Sequence, residues 1–303
     1  MKHYLILVLK GMGMGAADVV PGVSGGTIAF ITGIYEELIR SIKSINLKAL
    51  RLLFSGKIAG FWKTINGTFL LSIMLGIAIS VLSLARLLTF ILENYPELIW
   101  SFFFGLIVAS AIYVGKQIGK WNASTIIAII AGAVVAYFIT EITPAETTTA
   151  AWFIFVSGAI AICAMILPGI SGSFILLLLG KYAYIIGAVS ELKVGILAVF
   201  LAGAAVGIIS FSNLLSWLLR KYHAPTIALL TGFMVGSLNK VWPWKNTIET
   251  FDRHGLVKTL LQENVLPGAY DGDPHLAMAI VLAVTGFVLI FAIERFASQK
   301  GQV

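Results

Sequence analysis

Two short motifs combine proline, glycine and hydroxyl residues inside sequence that is otherwise apolar. The first is "PGVSGGT" at residues 21–27, and the second is "PGISGS" at residues 168–173. A proline followed by small residues at the start of a helix leaves several backbone N–H groups without intrahelical partners. The helix dipole adds partial positive charge there, and glycine lets a ligand approach the backbone closely. We therefore predict that the two helix starts face one another and that an anion such as a phosphate, a carboxylate or a halide binds there.

The predicted anion ligands are the hydroxyl and amide groups of the two motifs. They are Ser24, Gly25, Gly26, Thr27, Ser171, Gly172 and Ser173. The alternative is structural, because Pro-Gly also makes a tight turn and small residues let helices pack closely. The presence of two copies favours the anion site over a turn alone.

Polar residues inside the apolar sequence are the next candidates, because a charge at the bilayer centre costs at least about 2.5–3.5 kcal/mol. Arg86 lies within a long apolar run, and we predict that it is the principal side-chain ligand of a phosphate. Its aligned position in the second half is Asn213, a neutral partner. Arg86 reaching outward to the membrane surface is the alternative. Asp18 precedes the first motif and could carry a coupling proton, cap the freed amides or pair with Arg86; Glu36 is a second coupling candidate.

The composition places the chain in a membrane. Of its 303 residues 59% are hydrophobic and 12% are charged, and the mean hydropathy is +0.96. Such a chain lacks the polar surface of a water-soluble domain, and its long apolar runs predict transmembrane helices. These runs are Thr68–Leu92, Leu98–Val114, Thr125–Thr140, Gly195–Leu219, Thr226–Leu238 and Leu276–Ile293. The net charge of +7 is explained by membrane orientation and not by nucleic acid binding. The single cysteine has no partner for a metal site, and no metal or cofactor is predicted.

The chain repeats itself. An offset of 147 aligns the two motifs and also pairs Gly33 with Gly180, while an offset of 127 pairs Gly76 with Gly203. We predict an all-α integral membrane protein of two inverted repeats, residues 1–147 and 148–303. Each repeat would have a helical hairpin broken at Pro-Gly, with tips at 18–27 and 165–174, followed by about three transmembrane helices. The hairpins are predicted to be re-entrant, because freed amides could not be satisfied by lipid; two full spans are the alternative.

Charge between the apolar runs predicts the orientation. Segment 40–66 carries six basic residues among apolar ones, so we expect an amphipathic segment on the inner leaflet, in contact with anionic lipids. The connections then alternate in sign, which makes the loop 240–275 external and both termini cytoplasmic. The small residues of Gly203–Gly207 could contact a second copy, so a homo-oligomer is compatible with the sequence.

The stretches "GMGMGAADVVPGVSGGTIAFITGIYEELI" and "LPGISGSFILLLLGKYAYII" resemble the bacterial polyprenyl-phosphate transporter family, and the resemblance covers nearly the whole chain. It implies a transporter in the bacterial cytoplasmic membrane. The implied activity is the return of undecaprenyl phosphate, the lipid carrier of cell-wall precursors, from the outer to the inner leaflet.

Two other functions remain open. Undecaprenyl-pyrophosphate phosphatases have a similar Pro-Gly-x-Ser phrase followed by arginine, but this chain has glycine at that position. Its four histidines, His3, His223, His254 and His275, lie at ends or in loops, which leaves a phosphohistidine intermediate without an intramembrane candidate. The other alternative is a small-anion or ion-coupled transporter that uses the same helix ends.

Overall fold

A computed structural model describes residues 2–19, 24–142, 144, 147–253 and 256–298. Within these ranges, the side chains of residues 2, 19, 84–86, 89, 93, 249–253, 256–261 and 293–298 are outside the description. The following statements concern the described part of the chain.

The first half contains eight helices. They are α1 (Lys2–Val19), α2 (Gly25–Ile31), α3 (Tyr35–Lys43), α4 (Leu47–Phe54), α5 (Ile58–Thr64), α6 (Gly67–Asn94), α7 (Pro96–Gly115) and α8 (Ala123–Glu141). The second half contains six helices and two strands. They are α9 (Ala151–Ile166), α10 (Gly172–Leu178), α11 (Tyr182–Ser190), α12 (Val194–Lys221), α13 (His223–Ser237), β1 (Lys245–Arg253), β2 (Leu256–Asn264) and α14 (Leu276–Ser298).

The predicted helical membrane class is confirmed. Each of the six apolar runs forms one helix, namely α6, α7, α8, α12, α13 and α14. Among the described residues, three helical stretches are by themselves long and apolar enough to cross a membrane: Pro96–Ile118, Ala123–Glu141 and Val194–Lys221. Two bent helix pairs would raise that number to five. The chain is therefore a multi-pass membrane protein built mainly from helices.

The two halves use the same helix pairs. Helix α1 packs along α6 as α9 packs along α12, while α7 packs on α14 and α8 on α13. A Cβ atom at Gly76 of α6 would overlap the Val8 carbonyl of α1, and one at Gly203 of α12 would overlap the Phe155 carbonyl of α9. Both members of each contact are aligned residues of the repeat. Small residues at such crossings let helix backbones approach closely in a membrane.

The arms that follow the two motifs are each broken into two helices, α2 with α3 and α10 with α11. The breaks lie at the aligned glycines Gly33 and Gly180, which have φ of 71° and 62°. In both, the amide of the glycine and the amide of the residue after it donate to carbonyls at the end of the short helix, the arrangement of a Schellman motif. Glycine adopts this left-handed conformation without strain, so both helices end at the same repeat position.

The basic segment 40–66 forms short helices, as its amphipathic pattern indicates. Helices α4 and α5 pack on each other and leave large apolar side chains exposed between their basic residues. The exposed side chains are Leu47, Phe54, Ile58 and Trp62. This surface has the composition of a helix pair that lies in a membrane interface.

The loop 240–275 differs from the purely helical prediction. Strands β1 and β2 pair in antiparallel register, from Lys245 opposite Asn264 to Arg253 opposite Leu256. Strand β1 contains two threonines and an isoleucine, strand β2 contains a valine and a threonine, and β-branched residues favour extended backbone. Two tryptophans just before β1 join the chain on either side of the strand pair. Trp242 Nε1 donates to Val265 O at 2.8 Å, and Trp244 Nε1 donates to Pro274 O at 3.0 Å.

The close helix crossing predicts a stability difference between two glycines of α12. At Gly203 an added methyl would meet the backbone of α9, whereas at Gly195 it would meet open space. We expect Gly203→Ala to lower the free energy of unfolding by about 1–3 kcal/mol, because the helices must separate to admit the methyl. Gly195→Ala should change it by no more than about 0.5 kcal/mol. Thermal unfolding in detergent micelles measures both, and equal stability of the two variants would contradict the crossing.

Candidate functional site

The two motifs, far apart in sequence, contact each other directly. Ser24 Oγ donates to Met165 O at 2.9 Å, and Gly169 N donates to Thr27 Oγ1 at 2.9 Å. Ser24 and Thr27 are almost completely buried. Hydroxyl groups of the first motif therefore satisfy the backbone of the second motif, where its chain is broken.

The start of α2 holds a carboxylate of the protein itself. Ser24 is the N-cap, and its Oγ accepts from Gly26 N at 3.1 Å. The neighbouring amide, Gly25 N, donates to Asp18 Oδ1 at 2.7 Å. Asp18 thus lies at the helix end that was predicted to bind an anion, and it caps a freed amide, one of the roles considered for it.

The start of α10 is different. Ser171 is the N-cap residue, but its hydroxyl interacts with Ser173 Oγ at 2.8 Å and makes no cap hydrogen bond. The position aligned with Asp18 is Met165, so this helix end has no equivalent carboxylate. Within the described residues, the Gly172 amide has no hydrogen-bond partner. Of the two motifs, the second one has the more open donors.

Glycine is required where the motifs pack. A Cβ atom at Gly26 would overlap the Ile166 carbonyl, and one at Gly172 would lie 2.6 Å from the Ala161 carbonyl. Gly169 has φ of 89° and packs on the end of α13, with Ser237 Oγ 2.7 Å from the position of a Cβ. The turn of the second motif therefore packs closely against both α9 and α13.

Three predicted residues are not brought to the motifs by any contact of the described residues. Asn213 is on the exposed side of α12, and its Nδ2 donates to Ile209 O of the same helix at 2.9 Å. Glu36 is exposed at the start of α3, with Oε1 3.3 Å from His223 Nε2. Arg86 belongs to α6, but its side chain is outside the described residues. Their roles as phosphate ligands or coupling residues stay predictions.

An apolar cavity lies against the first hairpin. Its volume is about 570 Å³, and it is formed by α1, α2, α6, α7 and α14. Except for Thr32 and Tyr95, its lining side chains have no polar atom. Ala16 and Ala17 lie in the wall, immediately before Asp18. A chamber suited to hydrocarbon thus adjoins the polar contact between the motifs.

Sequence reasoning missed two lysines near the second motif. Lys240 Nζ lies 4.5 Å from the centre of the Phe174 ring in α10, and Lys245 Nζ lies 4.6 Å from the centre of the Trp100 ring. Burial lowers the pKa of Lys240. Burial, together with the charge of Lys240, lowers the pKa of Lys245 to about 7. The two lysines are half-buried in a loop predicted to be a surface connection, so their partial burial was not predicted from the sequence.

Comparisons with known proteins identify the family of the chain. The family model described as undecaprenyl phosphate translocase-like matches residues 14–258. A polyprenyl-phosphate transporter of Vibrio cholerae serotype O1 is 46% identical over 302 residues, which cover 98% of each chain. A polyprenyl-phosphate transporter of Staphylococcus aureus is 37% identical over 256 residues, which cover 78% of this chain and 86% of that one. No solved structure matches this chain significantly. The family match spans both motifs, and the chain belongs to the undecaprenyl phosphate translocase-like family.

Proposed function

We propose that this protein transports polyprenyl phosphate, and that it returns undecaprenyl phosphate from the outer to the inner leaflet of the bacterial cytoplasmic membrane. The observation that carries the proposal is the position of the two interlocked motifs directly beside an apolar cavity. A phosphate monoester on an isoprenoid chain has the same two parts, one anionic and one apolar. The names of both relatives support the same substrate class.

The phosphate would bind between the two helix starts. Backbone amides and hydroxyl groups of residues 24–27 and 171–173 would donate to its oxygens, with the open donors of Gly172 and Ser173 used first. Partial charges of helix ends do not repay the removal of a phosphate from water, so a full positive charge is needed as well. Arg86 is the cation proposed from the sequence, with Asn213 as its neutral counterpart.

The apolar cavity would take the isoprenoid units next to the phosphate, while the rest of the chain stays in the bilayer. Burial of hydrocarbon contributes about 25 cal/mol per Å² of apolar surface, whichever isoprenoid is bound. The cavity therefore adds affinity for a lipid over a free anion. This distinguishes the proposed substrate from the small anions that the motifs alone would accept.

We propose further that the chain is two inverted repeats, residues 1–147 and 148–303, with re-entrant hairpins. The equivalent helix pairs and the aligned glycine contacts support the repeat, and the alternating loop charges support inversion. Both termini would then be cytoplasmic, and helices α3–α5 would lie on anionic lipids of the inner leaflet. Association of copies through the small residues of α12 is compatible with this arrangement.

Asp18 would couple transport to protons. Carrying a phosphate toward a negative interior costs about 2.3 kcal/mol per charge per 100 mV, so a compensating charge is required. In the structure the Asp18 carboxylate accepts a hydrogen bond from the Gly25 amide. A proton taken up from outside would weaken that hydrogen bond, release the amide to the lipid phosphate and reduce the net charge moved.

The first functional test is leaflet exchange of a fluorescent polyprenyl phosphate in proteoliposomes. We expect the wild-type protein to accelerate exchange, and to leave the corresponding polyprenol unaffected. Gly172→Val should abolish the acceleration, because its side chain would push α10 away from the Ala161 carbonyl. Gly187→Val is the matched control, since Gly187 lies in α11 with open space around its Cβ position. Wild-type protein that leaves exchange of the phosphate lipid at the rate of empty vesicles would refute the proposed function.

A second test concerns the coupling role of Asp18. With an inward proton gradient, wild-type exchange toward the inside should be faster than without one. Asp18→Asn cannot take up the proton, so its exchange should no longer respond to the gradient. The same proteoliposomes, prepared with equal and unequal pH, measure this response. A gradient effect that survives in Asp18→Asn would exclude Asp18 as the coupling group.

A further inference from the structure

The chain that leaves α13 brings two lysines to the side of the second motif. Gly169 of that motif packs against Phe233 and Ser237 at the end of α13. Lys240 follows this helix end, and its ammonium lies over the Phe174 ring of α10. Lys245 opens strand β1, and its Nζ donates to Lys240 O. Two ammonium groups are thereby tied to one short segment beside the motif.

These lysines have no ionic partner in the described part of the chain. No described carboxylate lies within salt-bridge distance of either Nζ. The charge of Glu141 raises the pKa of Lys240, but the two side chains form no ion pair. Glu141 Oε1 instead accepts a hydrogen bond from Asn239 Nδ2. Both lysines are half-buried, and neighbouring charges of one sign that are partly removed from water are unfavourable unless an opposite charge joins them.

The contacts that the lysines do make leave donors unused. Each ammonium has three N–H donors. Lys245 uses one on the Lys240 carbonyl, and both lysines also face aromatic rings, Phe174 and Trp100. Ring faces attract a cation weakly and accept no full charge. An anion that contacts both groups would satisfy the remaining donors and offset the two positive charges.

We propose that Lys240 and Lys245 form a binding site for the phosphomonoester headgroup of the transported lipid, at the outer-leaflet end of its path to the second motif. The assignment rests on the proposed function, which supplies the anionic lipid and makes the loop external. Phosphate monoesters pair well with two ammonium groups, because each of their oxygens accepts charge-assisted hydrogen bonds. The lysine site would capture the headgroup, and the open donors of α10 would receive it next.

The test measures binding of farnesyl phosphate, farnesol and inorganic phosphate to purified protein in detergent. We expect the double variant Lys240→Met/Lys245→Met to bind farnesyl phosphate about ten-fold or more weakly than wild type, with farnesol binding unchanged. The double variant Lys240→Arg/Lys245→Arg should keep most of the affinity, because it retains both charges. Lys221→Met is the matched control: Lys221 also lies over aromatic rings, those of Trp217 and Tyr222, but it is exposed at the end of α12, and no contact among the described residues joins it to the second motif.

The possible results separate the two levels of the proposal. Wild-type protein that binds farnesyl phosphate no better than farnesol would overturn the proposed function, and the lysine site with it. Preferential binding that persists in the double methionine variant would overturn the lysine site alone. Inorganic phosphate bound as tightly as farnesyl phosphate, and lost in the same variant, would overturn the assignment to a lipid headgroup.

Thermal unfolding shows whether the double methionine variant has a folding defect. If it has one, a measurement on the wild-type protein tests the site instead. Amine acetylation followed by mass spectrometry then compares the wild-type lysines with and without farnesyl phosphate. We expect the lipid to protect Lys240 and Lys245 but not Lys221; equal modification of Lys240 and Lys245 in both conditions would overturn the site.

Discussion

A backbone that is broken inside a membrane must find its hydrogen-bond partners within the protein, because lipid offers none. At the second Pro-Gly motif the partners are hydroxyl groups of the first motif. Ser24 donates to the carbonyl of Met165, and Thr27 accepts from the amide of Gly169. Such an arrangement requires glycine at the crossing, since a side chain at Gly26 would overlap the opposite backbone. The helix pairs around the motifs keep them in contact.

The need for internal hydrogen-bond partners also explains how this site would bind a charged lipid. Its polar groups are held by internal partners that resemble the substrate, most directly the Asp18 carboxylate on the Gly25 amide. A phosphate could take the place of this carboxylate on the amide once Asp18 has taken up a proton, so that no unpaired charge is left behind. The second motif lacks an equivalent carboxylate, so the two helix ends are unequal although their sequences repeat. That inequality gives the transported anion an open position at α10 and an occupied one at α2.

Much of this arrangement was predictable from sequence, because periodic apolar runs and duplicated motifs are local signals. The runs predicted the long helices, and the aligned Gly33 and Gly180 end the short helices at the same place in both halves. The contacts that depend on tertiary packing were not predictable. The strands β1 and β2 lie in a loop with mixed composition, and Lys245 is half-buried because that loop folds over Trp100. Asp18 was placed near the site by proximity in sequence, but its bond to Gly25 depends on how the hairpin closes.

The central claim is that the transported phosphate binds where the two motifs meet. A cryo-EM structure of the protein in lipid nanodiscs with bound polyprenyl phosphate tests it most directly. The account predicts phosphate density within hydrogen-bonding distance of the amides at the start of α10, with the isoprenoid chain leading toward the apolar cavity beside α1 and α2. Headgroup density that contacts neither motif, with the hydrogen bonds from Ser24 and to Thr27 unchanged, would contradict it.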